Sequence, residues 1–144
     1  MKISKIIEKR ESLISEIKVN WIRIYQGNLS PQSSSFDINA LYKKILMDSV
    51  ELVRVKIAIQ AVNMGLKKVD DLPEESLYPT IYTLQQLKEQ RVKLVGLKKL
   101  DLKKDGVISR AKIDSHIRDL DIEIQKHMDF IKEFNDSADF DLAA

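Results

Sequence analysis

Between Asp37 and Met64 the chain carries more apolar surface than one partner helix could cover. One stripe runs Ile38, Leu41, Ile45, Asp48, Leu52, Val55, Ile59 and Val62, in alternating steps of three and four. A second runs Leu46, Val50, Val53, Ile57, Gln60 and Met64. Such steps place residues on one face of an α-helix. Two stripes demand cover on two sides. This helix therefore belongs at the centre of a bundle, at a subunit interface, or at both.

Three further helical patterns surround it. Ser4 to Tyr25 carries a heptad-spaced seam of Ile3, Ile7, Arg10, Ile14, Ile17, Trp21 and Ile24, widened by Ile6 and Leu13. Pro79 to Leu100 places Ile81, Leu84, Leu87, Leu94, Val95 and Leu97 along one side, with Arg91 among them. Ser109 to Phe134 repeats most cleanly, through Ile113, Ile117, Leu120, Ile124, His127, Ile131 and Phe134. Gly65 suits a helix C-terminus and Asp105-Gly106 a turn, while Ser35 or Asp37 can cap the second helix. The segment 26–36 has no helical period and reads as a crossover or a lid. The expected fold is all-α: an antiparallel four-helix bundle with long, coiled-coil-like helices, in an oligomer. Residues 1–135 form its single domain, and 136–144 an acidic tail whose Phe140 and Leu142 are available to dock on a neighbour.

Composition narrows the chemistry. There is no Cys, which removes disulfides, thiolate metal sites and Cys nucleophiles. A net charge of +2 gives no footprint for nucleic acid. The run Lys93, Lys98, Lys99, Lys103 and Lys104 lacks interleaved aromatics and reads as a solvated helix end. No apolar run approaches the roughly 18 residues of a membrane span, so the expectation is a cytoplasmic protein without membrane contact. The last quarter is acidic and the first half basic, so helices of opposite sign should be neighbours, within or between chains.

No catalytic constellation, cofactor site or metal site stands out. A helical di-iron centre needs Glu-x-x-His, and Ile113 and Ile124 occupy the positions before His116 and His127. Arg110 and His116 do show the Arg-x5-His spacing of helical ribonucleases of the HEPN type, although Ala111 stands where those enzymes carry a polar residue. Arg10 and Asp48 are opposite charges within apolar stripes. A buried guanidinium needs a carboxylate. They should meet or line a shared cavity, unless Arg10 lies at the seam's edge and reaches water. His127, at a core position, reads as a hydrogen-bonded core residue.

With the helices placed, the chain resembles a family of small bacterial helical proteins, some of them called septicolysins. The opening Met1-Lys2-Ile3-Ser4 with Arg10, Leu13 and Ile17 is similar to that family's first helix. Gln26-Gly27 and Ile59-Gln60-Ala61-Val62-Asn63 are similar to its second, which usually reads Arg-Ile-Asn-x-Thr-Asn, so that Asn63 matches its last Asn. Arg91 matches the third. Ile117-Arg118-Asp119-Leu120-Asp121-Ile122-Glu123-Ile124-Gln125 resembles its closing Ile-Arg-Glu-Leu-Asp-x-x-Ile-Gln, although Lys126-His127 replaces the usual Asn-Trp. The resemblance implies an oligomeric all-helical fold and no secure enzymatic activity. It adds Asn63, Arg91, Arg118, Asp121 and Gln125 to Arg10 and Asp48 as the candidate ligand-binding set. The leading expectation is a non-enzymatic, self-associating scaffold or binding protein, a dimer or built from dimers. The alternatives are an oligomeric binder of a small phosphate or nucleotide anion through Arg10, Arg91 and Arg118, and a HEPN-like metal-independent ribonuclease using Arg110 and His116.

Overall fold

The computed structural model describes residues 1–30, 36–100 and 104–142. The regular secondary structure among these residues is all helical. Helix α1 spans Ile3–Gly27, α2 Ile38–Asn63, α3 Tyr78–Leu100 and α4 Arg110–Ser137, with a 3-10 turn at Val69–Asp71. Among the described residues there is no strand, and no helix is long and apolar enough to cross a membrane. The heart of the lid segment, the alternative cap Ser35 and Lys103 of the lysine run lie outside the described residues.

Local chemistry sets the helix ends. Asp37 caps α2 by accepting a hydrogen bond from Ala40 N at 3.1 Å, and Ser109 caps α4 by accepting from Lys112 N at 3.2 Å. Each such cap stabilises a helix by about 1 kcal/mol. Gly65 stops α2 at a φ of 78°, where its own N–H donates to Val62 O and Leu66 N–H donates to Ala61 O, each at 2.9 Å. The end of the crossover folds back on α1, with the Arg23 guanidinium 4.4 Å above the Phe36 ring.

Helix α1 packs most extensively on α2, α4 packs on α3, and α2 meets α3. The first stripe of α2 points inward: Ile45 and Leu52 are buried with Leu94 and Leu97 of α3, Ile113 of α4, and Ile17, Trp21 and Ile24 of α1. The second stripe is partly covered within the chain. Leu46 packs against the core and Val53 and Ile57 are half-buried, whereas Val50 remains 66% exposed. The cause is the approach of other helices. Tyr82 of α3 donates to Gln60 Oε1 at 3.5 Å, and His116 of α4 meets Tyr42.

The seam of α1 behaves differently along its length. Its second half is buried, but Ile3, Ile7 and Ile14 are 51%, 38% and 41% exposed. A straight α-helix drifts about 20° per heptad relative to a 3.5-residue repeat, so one edge of the seam leaves the core. Leu13 and Ile6 take up the inward positions instead. The second half of α4 is also more open than its repeat implies, with Ile131 and Phe134 only half-buried. Phe140 and Leu142, beyond α4, are 85% and 87% exposed.

One contact joins the two ends of the chain's helical order. Asn28, just past α1, is fully buried. Its Oδ1 accepts from Ile108 N at 2.7 Å, its Nδ2 donates to Ile108 O at 3.4 Å, and its carbonyl accepts from Val107 N at 2.9 Å. Gly106 lies directly against this amide, and a Cβ there would run into the Asn28 side chain and carbonyl. Asn28→Ala strands a buried backbone N–H, and should lower stability by about 1–3 kcal/mol, read from urea unfolding. Gly106→Ala should act in the same direction. An unchanged midpoint in both variants would show that this latch contributes nothing.

Candidate functional site

An uncovered, largely apolar groove lies between α1 and α3. Where the two helices approach, the Tyr25 hydroxyl donates to the Lys93 carbonyl and its ring lies against Gly96, a position that leaves room for it by lacking a side chain. Burial raises the Tyr25 pKa above the usual phenol value. From this contact a groove runs along α1. One section of about 480 Å³ is lined by Ile14, Ile17, Trp21 and Val92 with Lys18, Lys88, Glu89 and Lys93. An adjoining section of about 380 Å³ shares Lys18, Trp21 and Lys93 and adds Ile22 and Tyr25. Val92 is 67% exposed, Ile22 47% and Ile14 41%, so these residues face solvent above a buried floor of Ile17 and Trp21. The rim is basic. None of Lys18, Lys88 and Lys93 takes part in an ion pair among the described residues.

Behind this floor an aromatic chain crosses the core. Trp21 meets Tyr25 edge-on at 6.5 Å and Tyr42 at 6.1 Å, and Tyr42 lies 4.9 Å from the His116 ring. Burial pushes the Tyr42 phenol up to about 12, and the Asp119 carboxylate adds to the shift. Burial lowers the pKa of His116, Lys112 lowers it further, and Asp119 opposes them. Both rings are thus held neutral. Arg110, the other member of the Arg-x5-His spacing, is turned to Asp105, whose Oδ1 accepts from Arg110 N at 3.2 Å and from Nε at 3.0 Å. Those bonds hold the Asp105 carboxyl below the usual carboxylate range.

The candidate ligand-binding residues are dispersed. Arg91 and Asp121 do meet, at 2.5 Å, and this bond raises the Arg91 pKa. Arg10 does not meet Asp48. Its Nε donates to Glu11 at 3.0 Å, whereas Asp48 pairs with Lys44 at 2.8 Å, one turn away on its own helix. The expected Arg10–Asp48 contact is therefore corrected. Arg10 sits at the drifting edge of the α1 seam, half-buried, where a neighbouring carboxylate suffices. Gln125 donates to Asp129 at 2.8 Å, and Asn63 and Arg118 are exposed. His127 is half-exposed and its Nδ1–H donates to Glu123 O at 2.7 Å, so its hydrogen bond is within its own helix. Among the described residues no group of His, Asp and Glu could hold a metal ion.

Sequence reasoning missed Asn28, Tyr25 and the buried glutamines Gln86 and Gln90. Gly96, an uncommon residue for a helix interior, was the readable signal for the Tyr25 contact. Asp48 is only 5% exposed, and its Oδ2 is buried with no hydrogen-bond partner. Compared with protein-family models, curated proteins and solved structures, the chain shows no match.

Two outcomes are expected. Asp48→Leu should keep or raise stability in urea, because it removes a desolvated carboxylate from an apolar stripe; a clear loss would show that the pair with Lys44 outweighs the cost of burying that carboxylate. Stability should also fall at both extremes of pH. His116 has a depressed pKa, so its contribution is present above about 6.5 and lost as the pH falls through the lower folded value. Tyr42 has a raised pKa, so its contribution is present below 10.0 and lost as the pH rises toward about 12. Thermal scans of His116→Gln and Tyr42→Phe should flatten the acid and alkaline limbs respectively.

Proposed function

We propose that the protein is an antiparallel four-helix bundle that self-associates, and that it works as a non-enzymatic scaffold or binding protein. The antiparallel reading is supported by the register of contacts. Lys9 pairs with Glu51 while Trp21 meets Tyr42, so residues further along α1 meet residues earlier in α2. Arg91 pairs with Asp121 while Lys98 pairs with Asp114, which is the same relation between α3 and α4.

The observation that carries the self-association is the uncovered side of α1. Ile3, Ile7 and Ile14 continue the same seam that Ile17 and Trp21 bury, and Val92 lines the groove together with Ile14. Scattered surface apolar residues need no explanation, but a contiguous row along a groove marks an interaction surface. A second copy would supply the missing cover, and two-fold pairing is the commonest closed arrangement. On this reading the interface lies on α1 and α3 rather than on the second stripe of α2, where Val53 and Ile57 are already half-covered within the chain and Val50 is a separate, smaller exposed point. The resemblance to the septicolysin family supports the same oligomeric helical reading.

Ile14→Asp and Val92→Asp put a charge on exposed positions, so helix content by circular dichroism should be unchanged. Each should shift the protein from dimer toward monomer in sedimentation velocity. A mass that both substitutions leave unaltered would remove this face from the interface.

A further inference from the structure

We propose that the acidic segment beyond α4 of one copy lies in the basic, apolar groove between α1 and α3 of a second copy, so that paired copies exchange their C-terminal segments. This rests on the self-association reading above and names what fills its groove.

The segment has the right pattern. Asp139-Phe140-Asp141-Leu142 alternates acid and apolar residues. In an extended chain, alternate side chains point to opposite sides. Phe140 and Leu142 then share one side, and Asp139 and Asp141 the other. The chain leaves α4 already extended, with Ala138 at φ −83° and ψ 135°. Phe140 and Leu142 are 85% and 87% exposed, the most uncovered large apolar residues after Met1. The groove offers the complement. Trp21, Ile17 and Val92 give it an apolar lining, and Lys18, Lys88 and Lys93 stand along its rim. Phe140 set among the apolar residues would bring Asp139 to the lysines.

Phe140 cannot reach the groove of its own copy. Val92 lies beside Arg91, which is bonded to Asp121 of α4. From Asp121 to the end of α4 at Ser137 the helix runs about 24 Å. Fully extended, the chain from Ser137 to Phe140 spans only about 10 Å, and to Leu142 about 18 Å. The groove also opens on another face of α3. Arg91 and Lys98 face α4, whereas Lys93 and Gly96 face Tyr25 of α1. A second copy in two-fold relation brings its segment to the groove without that limit, and both grooves are filled at once.

The test compares the full chain with a chain stopped after Ser137, by sedimentation equilibrium and by the emission of Trp21, the single tryptophan. Removing the segment leaves every helix intact, and circular dichroism checks this. The truncated chain should associate about tenfold more weakly or worse, the loss expected when a buried Phe and its neighbour are removed. It should also lose the concentration-dependent change in Trp21 emission. Lys93→Asp should weaken the full chain, and adding Asp139→Lys should restore it. Equal association of full and truncated chains overturns the exchange and leaves self-association standing. A full chain that is monomeric at every concentration overturns both. A truncated chain with unchanged mass and altered Trp21 emission would mean that the segment covers the groove within one copy, which also overturns the exchange.

Discussion

Asn28 turns its side-chain amide and its carbonyl to the segment that leads into α4, while its N–H closes the end of α1 on Ile24 O. Its amide and its carbonyl hold Val107 and Ile108 where the chain turns, and Ile108 is itself buried. α1 and α4 have no extensive packing of their own. The latch is therefore what fixes the start of α4 against the end of α1, and it brings His116 to Tyr42 about two turns further on. With that end closed, Tyr25 can reach over Gly96 to the Lys93 carbonyl. The same geometry leaves α1 and α3 apart along the rest of their length. The groove follows from closing the helices at one end.

The helices themselves were legible because their apolar residues repeat at helical spacing. The inner stripe of α2 and the first half of α4 bury most of the residues that their periods select, with Leu41, Ile59, Val62 and Ile117 half-buried. Boundaries were legible where a residue has a local reason to cap or stop, as at Asp37, Gly65 and Ser109. What periodicity could not supply is the angle at which one helix meets the next. The seam of α1 reads as continuous in sequence, yet the drift of a straight helix carries Ile7 and Ile14 off the core while Ile24 stays in it.

The polar residues were harder to read, for a related reason. Arg10 and Asp48 look like partners because each interrupts an apolar stripe. Whether two such groups meet depends on helix rotation, and each found a closer partner on its own helix. Lys44 and Asp48, four residues apart, were a local pair visible in the sequence. Arg91 and Asp121 are a pair that only the packing of α3 on α4 creates. Asn28 gave no sign of its role, since an Asn after a Gly reads simply as a loop. Its meaning lies in a contact with residues far along the chain.

The uncovered surface is the part of the molecule for which its own fold gives no reason. A helix that serves only a monomer needs one apolar side, yet α1 presents Ile14 outward and α3 presents Val92 beside it. Charge is distributed to match. Lysines whose ammonium groups find no carboxylate among the described residues stand along this groove, while acids gather toward the chain's other end. Exposed ion pairs stabilise little on their own, so the lysines would add register and orientation to a contact that burial of apolar groups drives. A basic apolar groove and an acidic apolar segment are complementary surfaces that association of two copies would bring together.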